Sequence, residues 1–181
     1  MNWETLSRRD VKVLSRDPAT VKDPSIRLVF KHRGGYASLA KLEPGHEPKY
    51  APYNGQRVHG VLYKVSAEDL MKLQKREGGY VTQSTEVETY DGKVVSARVF
   101  VSGPLATLAA EVIPTEKYMH SLRDGAADNY LDPLYQGWLS GIETVSSAGL
   151  GPEYYDTPSK WISYIFLAMV AIIGAAFYTN N

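Results

Sequence analysis

The sequence predicts an α+β domain followed by one membrane-spanning helix at its C-terminal end. Three observations carry this reading. Strand and helix candidates are mixed along the first 145 residues. Apolar residues make up 44% and charged residues 22%, the composition of a folded body rather than a disordered one. Charge then disappears abruptly after Lys160.

A chain of 181 residues suits one domain with appendages. Twenty basic and twenty acidic side chains cancel, so no overall field gathers nucleic acid, and no nucleic-acid partner is expected. The absence of cysteine excludes disulfides, thiolate catalysis and sulfur-bound zinc, and it suits a reducing compartment. The N-terminal stretch Met1 to Arg9 lacks the apolar run and cleavage pattern of a secretory signal; a transit peptide already removed stays open.

Ile26 to Phe30 reads as a short strand, broken by His32-Arg33-Gly34-Gly35 and resumed by Tyr36 to Leu39. Glu43 to Asn54, rich in proline, tyrosine and glycine, reads as a loop. Val58 to Val65 carries apolar side chains on both faces, so it is expected to be a central strand of a sheet or small barrel. Ser66 is an N-cap with Asp69 at the capping-box spacing, and Leu70 and Leu73 give an apolar stripe on a short helix ending at Gly78-Gly79. Tyr80 to Val87, the Asp91-Gly92 turn and Val94 to Val101 make a hairpin. Pro114 to Ile142 is largely helical.

Trp161 to Tyr178 holds eighteen residues without charge or proline. As a helix it spans roughly 27 Å at about 1.5 Å per residue, close to a bilayer's hydrocarbon thickness. Trp161, Tyr164, Phe177 and Tyr178 stand where interfacial aromatics belong, and Lys160 supplies a positive flank on the non-translocated side. The expected organisation is a soluble domain over 1–145, a linker over 146–160 and a transmembrane helix over 161–178, a single-pass tail anchor in membrane lipid. Ala168, Ala171 and Ala175 form a small-residue stripe that would let helices of a larger complex approach.

Chemistry points to Glu77. With Leu70 and Leu73 it occupies i, i+3 and i+7 on a helical wheel, so the carboxyl falls on the inward stripe at the helix C-terminus. Burial and the negative end of the helix dipole both disfavour the charged carboxylate there, as suits a general acid/base. The wheel alone fits better an ordinary glutamate reaching solvent past the two glycines. The histidines His32, His46, His59 and His120 show no metal-ligand spacing, so no metal site is expected. His59 reads as a packed strand histidine, His32 to Gly35 as a plain turn, and Lys72, Lys75 and Arg76 as a solvated helix face.

The run from His59 through Leu62, Ser66, Leu70, Leu73 and Glu77-Gly78-Gly79-Tyr80 resembles the central signature of γ-glutamylcyclotransferases and their AIG2-like relatives. Asp91-Gly92 with Ala97 to Val101 resembles the family's next hairpin. Pro114 to Tyr118, through Gly125-Ala126 to Tyr135, resembles its closing helical segment. The resemblance covers about Leu28 to Ile142. It implies a small mixed β-barrel with flanking helices, and cyclisation of a γ-glutamyl amide to 5-oxoproline with release of an amine, without metal or cofactor. It assigns the catalytic role to Glu77 and substrate contacts to Tyr80, Tyr118 and Tyr135. The family's Tyr-Gly-Ser-Asn loop, which grips the substrate α-carboxylate, does not occur in these residues. Met1-Asn2 followed by Arg8-Arg9 looks like the stretch just after that loop, so it either precedes Met1 or has been lost.

These readings together predict a membrane-anchored γ-glutamylcyclotransferase-like accessory subunit of a large photosynthetic or respiratory complex, in a thylakoid or mitochondrial inner membrane, with activity reduced or lost. The alternative is an active tail-anchored enzyme acting on γ-glutamyl amines through Glu77.

Overall fold

The computed structural model describes residues 3–41, 50 and 57–158. The expected transmembrane helix, 161–178, and nearly all of the Glu43–Asn54 loop lie outside them. Among the described residues no helix is long and apolar enough to cross a membrane.

The chain runs α1 (Trp3–Arg8), β1 (Val13–Val21), β2 (Ile26–His32), β3 (Tyr36–Lys41), β4 (His59–Val65), α2 (Ala67–Arg76), β5 (Tyr80–Thr89), β6 (Val94–Ser102), α3 (Glu116–Asp128) and α4 (Pro133–Gly141). The mixed α+β expectation holds. The closed barrel does not: the described strands form an antiparallel four-stranded sheet in the order β4-β1-β5-β6 and a separate β2-β3 hairpin. Side-chain bonds join the two sheets where a barrel would continue its backbone ladder. The Ser102 N–H donates to Ser38 Oγ at 2.8 Å, and the Tyr80 hydroxyl donates to the Ala37 carbonyl at 2.9 Å.

One strand expectation changes, and one strand is new. β4, read as central from its apolar faces, is an edge strand of its sheet. Its side chains are covered by packing rather than by flanking strands, Val61 lying against the main core and Tyr63 and Val65 against a second one. The interior positions belong to β5 and to β1, whose polar Ser15-Arg16-Asp17-Pro18 run hides the strand from a hydrophobicity reading. Its pairing with β5 begins only at Ala19, directly after the proline, which has no N–H to give. The β5-β6 hairpin closes as expected, with Gly92 at φ 87° and its N–H donating to the Thr89 carbonyl at 2.8 Å.

The main core brings Phe30 of β2 against Met119 and Ala126 of α3 and Tyr135 and Leu139 of α4, with Leu131 and Ile142 at the helix ends. Phe30 and Met119 are fully buried, and burying each contributes roughly 1.5–3 kcal/mol. Thr115 caps α3 by accepting from the Tyr118 N–H at 3.3 Å, and Asp132 caps α4 by accepting from Leu134 and Tyr135. The α4 C-terminus is closed from α3, where the Arg123 guanidinium donates to the carbonyls of Leu139, Ser140 and Ile142. The described part of the 146–160 segment is not loose. Tyr154 packs with Leu108 and Val112, and its hydroxyl donates to the Ile113 carbonyl at 2.8 Å. Apolar burial of one tyrosine is enough to dock a segment whose glycines and prolines suggest only a connection.

Candidate functional site

Glu77 follows the last turn of α2, and its position is set by capping at both ends of that helix. Ser66 Oγ accepts from the Asp69 N–H at 3.1 Å, which starts the helix; the Glu77 N–H donates to the Leu73 carbonyl at 3.1 Å, which ends it. Leu73 is buried, as the inward stripe requires. The chain then reverses within four residues: the Tyr80 N–H donates to the Glu77 carbonyl at 3.1 Å, with Gly79 at φ 86°. Glycine is needed there for space as well as for φ. A Cβ on Gly79 would stand 2.6 Å from Ala106 Cβ and 3.2 Å from His32 Cε1. Helix cap and turn together hold Glu77 and Tyr80 close to each other.

The carboxyl of Glu77 is only 12% exposed, so the helical wheel aims it correctly. Its partner is a cation that the wheel does not include. The guanidinium of Arg9, from the turn after α1, donates to Glu77 Oε1 in a partly buried ion pair. Arg9 is itself held in place from α2, because Arg76 Nη1 donates to the Arg9 carbonyl at 2.7 Å.

Three tyrosines line the same place. Tyr80 donates its hydroxyl proton to the Ala37 carbonyl at 2.9 Å, and the Ala37 N–H donates to the Tyr118 hydroxyl at 3.1 Å. One residue of β3 is thus gripped through both its backbone groups. Tyr36 meets Tyr118 edge to face, ring centroids 4.9 Å apart, and its own ring is 47% exposed at the rim. Burial pushes the Tyr118 phenol up to about 12, with the neighbouring Tyr36 and the Glu77 carboxylate adding to the rise. Burial also raises Tyr80, helped by Tyr118, Glu77 and Tyr36. Both phenols therefore stay protonated at neutral pH, as donors or acceptors rather than phenolates.

His32 completes the wall. Its ring stacks on Tyr80, and its Nδ1 lies 2.9 Å from Ser102 Oγ. Burial first and the Arg33 charge second bring its pKa down to about 4, so the imidazole is neutral. Tyr135, the remaining expected substrate contact, shares the main core with Tyr118 and is stacked on His59 at 4.7 Å and beside Trp138. His59 is the packed strand histidine that the sequence suggests; it shares a hydrogen bond with the Tyr90 hydroxyl at 2.5 Å.

Residues 57–139 match the sequence profile of the AIG2-like family. That stretch is AIG2-like, and through it the chain is similar to γ-glutamylcyclotransferases. A γ-glutamylcyclotransferase from Bos taurus is 32% identical to it over 93 residues, which make up 49% of this chain and 47% of the bovine one. The chain thus spans about half the length of the curated relative it matches. Among solved structures, a γ-glutamyl cyclotransferase superposes with a TM-score of 0.61 at 22% identity, covering 84% of this chain and 89% of that one. An uncharacterized protein from Homo sapiens superposes with a TM-score of 0.59, also at 22% identity, covering 83% and 86%. At that identity the two structures establish the fold.

Glu77, Tyr80, Tyr118 and Tyr135 all fall inside the AIG2-like stretch, whereas Arg9, His32 and Tyr36 lie outside it. The last three are the site residues that sequence reading passed over. His32 and Tyr36 flank a glycine turn that looked merely structural, and Arg9 sits in a short polar stretch with no periodicity to point it anywhere. Only the pairing of distant segments brings them to Glu77.

Proposed function

We propose that this chain is a membrane-anchored γ-glutamylcyclotransferase-like protein that serves as an accessory subunit of a large photosynthetic or respiratory membrane complex, with cyclotransferase activity reduced or lost. The observation that carries the reading is the ion pair between Arg9 and Glu77. A carboxylate that is to take a proton from a substrate amine must offer a free lone pair in hydrogen-bond reach of that amine. Here Oε1 is already engaged by a guanidinium, which leaves Oε2 alone to meet an amine.

The anchor rests on the uncharged stretch 161–178, with Lys160 before it and aromatic residues at both ends. Its alanine stripe suits partner helices in a thylakoid or mitochondrial inner membrane. Truncation after Ser159 should release the chain from membranes under alkaline extraction, while the full chain stays with them and migrates with a larger assembly. Recovery of the full chain in the soluble fraction as a monomer would end the anchor proposal.

A second reading, the active tail-anchored enzyme, is favoured by the convergence of Glu77, Tyr80 and Tyr118. In that reaction the α-amine nitrogen bonds to the γ-carbonyl carbon and the amide bond to the leaving amine breaks. Glu77 carries the proton from the attacking ammonium to the departing nitrogen, and no water is consumed. Incubating the full chain with γ-glutamyl amides, beside Glu77→Gln, decides between the two. Release of 5-oxoproline by the parent and not by the variant establishes the active enzyme; no release from either supports the accessory subunit.

A further inference from the structure

We propose that the end of the domain from which Pro158 leads on to the anchor is a membrane-contacting surface, where Leu105 and Tyr155 enter the headgroup boundary of a lipid bilayer. The inference rests on the anchor proposed above and goes beyond it, because a tethered domain need not touch the membrane.

Three segments meet at this end through backbone bonds. The Arg33 N–H donates to the Ala106 carbonyl and the Leu108 N–H to the Lys31 carbonyl, both at 2.8 Å, so the residues after β6 run beside β2. The Gly34 N–H donates to the Tyr154 carbonyl at 2.7 Å, and the Ala109 N–H to the Asp156 carbonyl at 3.1 Å. The turn after β2, the segment 105–109 and the tail 154–156 therefore lie side by side. Leu108 and Tyr154 fill a small core between them. Their neighbours point outward instead: Leu105 is 72% and Tyr155 44% exposed, and Ala109 and Ala110 are exposed with them. Exposed Val81 flanks the group, close enough to Gly103 that a Cβ there would stand 3.1 Å from its Cγ1. Apolar side chains exposed together, rather than singly, mark a surface that meets a partner.

The chain itself says which partner. Thr157 is buried, so the tail is held against the domain up to that residue. From Pro158 to Trp161, where the uncharged stretch begins, is three residues, which reach at most about 10 Å. A bilayer that takes up 161–178 thus begins within that distance of the docked tail. The exposed charges nearby are mixed, Arg33 against Glu153 and Asp156, so the surface suits apolar insertion rather than attraction to anionic headgroups. A tyrosine with an apolar ring and a polar tip is suited to that boundary. Tyr36 belongs to the same turn, which sets the rim of the candidate site beside the lipid.

The chain has no cysteine, so a single introduced one carries a fluorophore without interference. The full chain is reconstituted into phosphatidylcholine vesicles with the label on Ala109→Cys or, as a distal control, on Lys93→Cys. Eight residues of β5 from Val81 to Thr89 put Lys93, paired with Thr89, roughly 26 Å from the patch. Quenchers on the lipid acyl chains should quench the Ala109 label, as expected about 5–10 Å into the boundary, and leave the Lys93 label unaffected. Leu105→Asp combined with Tyr155→Asp should abolish the quenching at Ala109; thermal unfolding checks that this variant folds, and Leu105→Ser with Tyr155→Ser replaces it where it does not. An unquenched Ala109 label in a chain that stays with the vesicles, or equal quenching at both positions, overturns the surface and leaves the anchor standing. Failure of the chain to enter vesicles overturns both. Quenching that survives the paired substitutions also overturns the proposal, and shielding of Ala109 in native membranes but not in pure lipid assigns the patch to a protein partner instead.

Discussion

The imidazole of His32 lies flat against the phenol of Tyr80, centroids 3.8 Å apart and planes 11° from parallel. The stack joins the β2-β3 hairpin to the first residue of β5, and it places a neutral histidine behind the Glu77 turn. His32 is 4% exposed, and the adjacent Arg33 charge opposes its protonation.

Stability should accordingly depend on pH through His32. Its folded pKa, about 4, lies below the ordinary 6.5, so the unfolded chain binds the proton more readily. The contribution is complete above pH ~6.5 and is lost as pH falls towards ~4, amounting to up to about 3 kcal/mol. Urea midpoints taken from pH 7 to pH 4.5 should fall more steeply for the parent than for His32→Gln. Parallel slopes would refute the assignment.

Tyr118→Phe removes the acceptor for the Ala37 N–H. An amide left unpaired in a partly buried position costs about 1–3 kcal/mol, and the exchange protection of that amide should drop with it. Tyr80→Phe should cost less, because a carbonyl tolerates a lost donor better than an N–H tolerates a lost acceptor. The ranking is read from denaturant unfolding of the two variants.

Gly79→Ala combines a left-handed φ with a Cβ placed 2.6 Å from Ala106. A loss of about 2 kcal/mol or more is expected, with displacement of the Glu77 turn. Gly78→Ala, one residue away, has open space around it and should stay within about 1 kcal/mol of the parent. Equal effects at the two positions would contradict the turn geometry.

The Arg9–Glu77 pair should show a coupling of no more than about 1 kcal/mol in a double-mutant cycle of Arg9→Gln and Glu77→Gln, since solvent reaches both side chains. The coupling should shrink as salt rises. A salt-independent coupling would mean that the two groups interact through packing instead.

Local chemistry made much of the fold legible from the sequence. Ser66 caps the helix it precedes, Asp91-Gly92 turns the hairpin, and Leu73 with Glu77 marks the inward stripe of α2. Each of these is decided within a few residues, where spacing and side-chain type suffice. The AIG2-like character follows from the same short-range pattern.

Tertiary structure alone decided what depends on segments far apart in the chain. It put the polar β1 inside the sheet and β4 at its edge, and it left the β2-β3 hairpin outside a closed barrel. It docked Tyr154 onto Val112, and it brought Arg9 to Glu77 across 68 residues of sequence. No periodicity encodes such pairings, because a guanidinium finds its carboxylate only after the hydrophobic cores have fixed where α1 and α2 lie. The acid was legible from the sequence; the cation that occupies it was a product of folding.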